Sequence, residues 1–392
     1  MKITFPLCCL SFLLGLTACT SDKNEINQSL DYCVEQVDRT LAEIPDVSQS
    51  PRNMEADEDH WNFTGVFDWT GGFWPGILWY VYEYTGEESR REIADKYTMP
   101  LAPLAFRKAV NHDLGFQIFC SFGNAYRLTG DEKYKQVILA AADTLATLYN
   151  PVTETILSWP GQEKRWAHNT IIDNMMNLEL LFWAAENGGS PQLKDIAISH
   201  ARKTGNNHFR EDYSTFHLID YDTISGEKRA GYTHQGYADE SLWARGQAWA
   251  VYGFVMCYRE TRIPEFLDIA QKAYGRYKKR LPEDCIPYWD FDAPFTPQEP
   301  RDASAASVMA SALIEMSQYI ADTELKKEYL EDAEKTLKSL ASSEYRSGAV
   351  KPSFLLHSTG HKPKGSEVDA SIIYADYYYI EALIRLKRMR EN

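Results

Sequence analysis

Two aspartates in this chain lie against apolar sequence. Asp113 is found in Asn111-His112-Asp113-Leu114-Gly115-Phe116, and Asp173 in Ile171-Ile172-Asp173-Asn174-Met175-Met176-Asn177. An Asp just ahead of a helix is ordinarily an N-cap, and Asp113 fits that description on its own. Asp173 fits it poorly, because two isoleucines precede it and two methionines follow closely. A carboxylate carried into such surroundings must find a partner or keep its proton. A protonated Asp beside a second carboxylate makes a suitable general acid. A third segment, Trp243-Ala244-Arg245-Gly246-Gln247-Ala248-Trp249, places Arg245 and Trp249 one helical turn apart, hence on one face. Arg pairs with carboxylates through two parallel hydrogen bonds, and Trp covers the apolar face of a sugar. Taken singly, each of these is also explained by a cap, a solvated Arg above a core Trp, or a satisfied loop histidine such as His217 or His234. They recur, however, just ahead of successive apolar stretches, and that points to acid–base chemistry on an anionic sugar.

The elements that must position them read as helices of two kinds. One set is amphipathic, with apolar residues at i, i+3, i+4 and i+7: residues 27–44, 87–97, 131–149, 191–204, 264–281 and 323–340. The other is apolar nearly all round and needs enclosure: residues 72–84, 114–128, 170–186, 242–261, 303–320 and 368–386. The two kinds alternate, as repeated helical hairpins would. Long loops rich in Trp, His and Asp, at 150–169 and 205–241, favour a closed barrel over an open superhelix. The predicted fold is therefore all-α, an (α/α)6 barrel of six inner and six outer helices. With parallel inner helices, the unusual residues meet at one end, where free backbone amides favour an anion.

Lys2 and the apolar run from Ile3 to Leu16, ending in Leu16-Thr17-Ala18-Cys19, read as a lipoprotein signal over 1–18. The run is shorter than a bilayer span. Residues 19–26 then form a lipidated tether, and 27–392 one catalytic domain. This gives a bacterial cell-envelope address, anchored through Cys19, facing the periplasm, with membrane contact through the lipid alone. A net charge of −15 argues against nucleic acid as a partner. Cys8 and Cys9 leave with the signal, Cys33, Cys120, Cys257 and Cys285 are far apart, and no HExxH, calcium-loop or phosphate-loop pattern occurs, so neither metal nor cofactor is expected.

Through Trp69–Gly76, Asn111–Phe116, Ile172–Asn177, Thr233–Trp249 and Val368–Tyr379, the chain resembles the unsaturated glucuronyl hydrolases of glycoside hydrolase family 88. The likeness runs in order over nearly the whole mature chain. It implies the (α/α)6 fold and hydration of the C4=C5 bond that polysaccharide lyases leave on a terminal uronic acid. It implies Asp173 as general acid/base and Asp113 as the second essential aspartate, holding Asp173 protonated by like-charge coupling. His217, Gln235 and Arg245 match polar contacts to the unsaturated uronate. Trp69, Trp243 and Trp249 match stacking or wall residues, with His112 and Trp159 as further candidates. Ser358, Lys362 and Lys364 fall where sulfate-tolerant members carry a Ser- and Lys-containing segment, but their spacing departs from that pattern. The expected partners are unsaturated glycosaminoglycan disaccharides or short oligosaccharides. The rival readings are an unsaturated rhamnogalacturonyl hydrolase acting on pectin fragments, and a non-catalytic glycan-binding lipoprotein.

Overall fold

The computed structural model describes residues 11–391 other than 297, with side chains from residue 24 onward. The expected signal and the Cys19 lipid site fall on residues or side chains outside that description. Twelve α-helices are described: α1 (Ser11–Glu43), α2 (Phe73–Thr85), α3 (Glu88–Thr98), α4 (Asn124–Thr129), α5 (Glu132–Ala146), α6 (Leu178–Glu186), α7 (Gln192–Asn207), α8 (Ala244–Thr261), α9 (Pro264–Lys278), α10 (Ala303–Ser317), α11 (Thr323–Leu340) and α12 (Ile373–Glu391). A π-helical segment, Gly115–Gly123, runs directly into α4.

The apolar helices close a ring. α2 touches the Gly115–Gly123 segment, which touches α6; α6 meets α8, α8 meets α10, α10 meets α12, and α12 returns to α2. The amphipathic helices back them: α3 on α2, α5 between the π-helical segment and α6, α7 on α6, α9 on α8, α11 on α10 and α1 on α12. This is the expected (α/α)6 barrel. α5 shows why the pattern works. Its buried residues, Tyr134, Val137, Ile138, Ala141, Ala142 and Leu145, form one stripe, and Asp131 caps its start by accepting from the Lys133 amide at 3.0 Å. α10 shows the other extreme: all fifteen residues from Ala303 to Ser317 are buried. Its small alanines and serines let α8 and α12 approach closely, and Ser307 returns its hydroxyl to the Ala303 carbonyl at 3.0 Å. Among the described residues no helix is long and apolar enough to cross a membrane.

The structure refines the expectation at three places, all near the inner-helix starts. Residues 170–186 are not one helix: β5 (Asn169–Ile171) leads into a 3-10 turn over Ile172–Asn177, and α6 begins only at Leu178. The β-branched run Thr170-Ile171-Ile172 suits an extended strand, and the 3.6-residue period alone did not resolve it. Residues 115–123 form π turns where an α-helix was expected. The last inner helix starts at Ile373, after the short strand β8 (Ser371–Ile372), five residues later than the Val368 start. Small sheets occupy the connections: β1 (Gln49–Met54) between β2 (Asn62–Gly65) and β8, β3 (Tyr149–Asn150) with β4 (Thr155–Ile156), and β6 (Leu218–Tyr221) between β5 and β7 (Lys228–Tyr232).

Candidate active site

Antiparallel pairing of β5 with β6 sets Ile171 opposite Leu218, and the Ile172 amide donates to the His217 carbonyl at 2.9 Å. This register brings Asp173 to His217, 44 positions away in sequence numbering. The His217 Nδ1 accepts from the backbone amides of His234 and Gln235, at 2.9 and 3.1 Å. The proton of the neutral ring therefore lies on Nε2, which stands 3.6 Å from Asp173 Oδ2. Burial, reinforced by His234 and Arg245, holds His217 well below its ordinary value and keeps the ring neutral. Asp173 Oδ2 has no protein hydrogen-bond partner. Burial pushes the Asp173 carboxyl up to about 6; His112 and Arg245 oppose that rise, and Asp113 adds to it.

Asp113 reaches the same pit from the neighbouring inner segment. Gly115 makes the approach feasible: a Cβ there would lie 2.5 Å from the Asn177 Cα. Asn177 Oδ1 accepts from the Phe116 amide at 2.9 Å and ties the two aspartate-bearing segments together. That amide is the one an Asp113 cap would take, so the Asp113 carboxyl is left free of the cap role. Burial pushes Asp113 up to about 7, with Asp68 adding to the rise and Arg52 opposing it. Arg52 is engaged on both sides, with Asp68 and with Glu367. His112 Nε2 lies 3.4 Å from Asp113 Oδ1, and burial lowers His112 to about 4, so it too is neutral. One expectation changes in emphasis. Like-charge coupling to Asp113 is the smallest of the named causes at Asp173, and burial is the leading one.

The walls follow. Trp243, at the cap position of α8, lies 4.7 Å centroid to centroid from the His217 ring, and the Arg245 guanidinium stands 4.6 Å from the Trp243 centroid. Arg245 thus stacks on Trp243. Trp249 is buried one turn deeper, between Phe116 and Tyr378. Arg245 is only 2% exposed; its Nη1 donates to Asp302 and the Thr359 carbonyl, and its Nη2 to the Gly360 carbonyl. Gln235 donates to the Gly360 carbonyl at 3.2 Å. Trp159 contacts His217 and His234, and Trp69 packs among Phe73, Phe116 and Tyr374. Lys362 is paired with Glu299 at 2.6 Å, Ser358 is fully buried, and Lys364 is exposed.

Sequence reasoning passed over Arg52, Asp68, Asp302, Tyr374 and His361. Asp302 carried a signal, since Asp302-Ala303 repeats the pattern of an aspartate at the start of an apolar helix. His361 lies 4.9 Å from His234, ring to ring, and burial lowers both to about 4. Nothing local marked Tyr374. Among the described residues, no three His, Cys, Asp or Glu side chains gather as a metal site would need. Two buried acids with raised proton affinity, neutral histidines and tryptophan walls make a site for proton transfer to an uncharged carbon or oxygen.

The model of Glycosyl Hydrolase Family 88 matches residues 36–387. The chain belongs to this family. It is 42% identical over 344 residues to an unsaturated glucuronyl hydrolase of Formosa agariphila, covering 86% of this chain and 85% of that protein. It is similar to the crystal structure of an unsaturated glucuronyl hydrolase specific for heparin, with a TM-score of 0.88 and 40% identity, over 94% of this chain and 98% of that one. A Streptococcus agalactiae unsaturated glucuronyl hydrolase variant, complexed with dGlcA-GalNAc6S, superposes with a TM-score of 0.80 at 31% identity, over 93% of this chain and 92% of that one. The chain is a glycoside hydrolase, and the pectin-fragment and non-catalytic readings are set aside.

Proposed function

We propose that this family member removes a Δ4,5-unsaturated uronic acid from glycosaminoglycan disaccharides and short oligosaccharides, with Asp173 as the acid and base. The observation that carries this reading is the pair of buried carboxyls, pushed up to about 6 and about 7, at the joined starts of two inner segments. One relative is specific for heparin and another is complexed with dGlcA-GalNAc6S, which supports the substrate class.

Hydration of an enol ether needs a proton at C4 and a hydroxide equivalent at C5. Arrival of the uronate expels water and adds a negative charge beside Asp173, which raises its proton affinity further. Asp173 gives its proton to C4, and the positive charge develops at C5 and the ring oxygen. Asp113 steadies that charge in its ionised form, which it takes up as pH rises through about 7. The Asp173 carboxylate then takes a proton from the water that adds to C5. The product is a hemiketal, whose ring opens and releases the remaining saccharide. His217, with its proton fixed on Nε2, can donate to the substrate or to Asp173. Arg245 contributes positive potential toward the uronate carboxylate. The separation rules for glycosidase carboxyl pairs concern attack at C1 and do not apply to this reaction.

The test is an absorbance assay on unsaturated disaccharides from chondroitin, hyaluronan, heparin and pectin. Loss of the conjugated double bond is expected with glycosaminoglycan products. Turnover of the pectin product alone would overturn the substrate assignment.

We also propose lipidation at Cys19 and a periplasm-facing envelope location. Cys19→Ala should move the protein from the membrane fraction to the soluble one; unchanged fractionation would sink the anchor.

A further inference from the structure

Asp302 divides its two oxygens between two tasks. Oδ1 accepts from the Ser304 and Ala305 amides at 3.1 and 3.3 Å and from the Ser304 hydroxyl at 2.5 Å, which caps α10, and more weakly from the Thr359 amide at 3.5 Å, a contact that an Asn oxygen would keep. Oδ2 accepts from Arg245 Nη1 at 2.8 Å, and neither side chain is more than 2% exposed. The other hydrogen bonds of Arg245 go to the strap at 359–361, donating to the carbonyls of Thr359 and Gly360 at 2.5 and 2.7 Å. The Gly360 carbonyl is also where Gln235 docks, and the next residue, His361, faces His234. On its far side the strap has no slack: a Cβ on Gly360 would lie 2.0 Å from Glu367 Oε2.

A buried guanidinium aimed at two backbone carbonyls needs an anion to hold it there, because the carbonyls compensate only part of its charge. We propose that Asp302 is a positioning residue for substrate binding: through Arg245 it fixes the strap at 359–361, and with it Gln235 and His361, against the pit. It touches no substrate itself. The inference rests on the proposed disaccharide substrate, since its readout is saturation by that molecule.

Asp302→Asn separates the two tasks. The amide keeps an oxygen for the α10 cap and turns an NH2 group toward Arg245. KM for the preferred disaccharide is expected to rise about tenfold, with kcat changed by less than about threefold. A merely structural cap would not produce that split. The decisive measurement is a double-mutant cycle with Arg245→Met. If Asp302 acts through Arg245, adding Asp302→Asn to Arg245→Met changes KM by less than about twofold. Effects on KM that multiply, or a loss borne by kcat, overturn the proposal. Should Asp302→Asn fail to fold, Asp302→Glu, which retains the charge but displaces it by one methylene, enters the same cycle under the same two outcomes. An inactive parent would sink both readings, whereas an active parent with multiplying effects sinks this one alone.

Discussion

The two ends of the barrel differ in how they bury acids, although the aspartate end also holds the buried Arg245–Asp302 pair. At the far end from the aspartates, Arg259 contacts Glu179, Glu260 and Glu315, while Arg385 pairs with Glu315 and Glu381. Glu381 also accepts from Tyr80, Tyr252 and Ser311. All of these groups except Ser311 line a cavity of about 490 Å³, and each named carboxylate there has a cationic partner. At the near end, Asp173 and Asp113 are buried without an arginine or lysine in contact. The difference shows in proton affinity. Burial pushes Glu315 up, but Arg259 and Arg385 overcome it and hold the group below its ordinary value; at Glu179, which has Arg259 alone, burial still outweighs the pairing, as burial wins at both aspartates. Paired charge closes the foot of the barrel, and unpaired acid is kept where a proton must be passed on.

The largest effect that could break this contrast is on turnover. Asp173→Asn should cost about 10³- to 10⁴-fold in kcat, with disaccharide binding still measurable by calorimetry. Asp113→Asn should be impaired less, and the reverse order would exchange the roles of the two acids. Arg259→Met at the foot should instead lower stability by about 3–5 kcal/mol, seen as a lower urea midpoint. The folded fraction of that variant should keep kcat/KM within about threefold of the parent. A folded but inactive Arg259→Met protein would show that the foot takes part in catalysis.

The pH dependence of stability sharpens the contrast. Asp113 binds its proton more tightly when folded, so its contribution is full below its ordinary 3.8 and is lost as pH rises through about 7. Asp113→Asn should therefore be more stable than the parent above pH 7, by roughly 2–4 kcal/mol, with no gain below about pH 4. Glu315 has the opposite sign. Its contribution is present above its ordinary 4.5 and is lost as pH falls through its lowered value, so Glu315→Gln loses stability at neutral pH and converges with the parent in acid. Urea titrations at several pH values check both slopes. The smallest effect is Tyr80→Phe, which removes one donor to Glu381 and should cost about 1 kcal/mol with unchanged turnover. A turnover loss there would again blur the division.

What local sequence determined is the alternation of apolar and amphipathic helices, because a helix with no wet face must be enclosed and one with a single apolar stripe must cover it. It also singled out Asp173, whose isoleucine and methionine neighbours leave a carboxylate little water. It did not determine the strand β5, since a short β-branched run and a buried helix start look alike without their neighbours. Nor could it assign Arg245, whose carboxylate partner is 57 residues away and whose carbonyl partner at Gly360 is 115 residues away. The His217 proton position likewise depends on the amides of His234 and Gln235, and the coupling of the two aspartates on Gly115 meeting Asn177. Periodicity is a property of neighbours along the chain. Charge pairing, tautomer and proton affinity belong to neighbours in space, and only closure of the barrel brought those together.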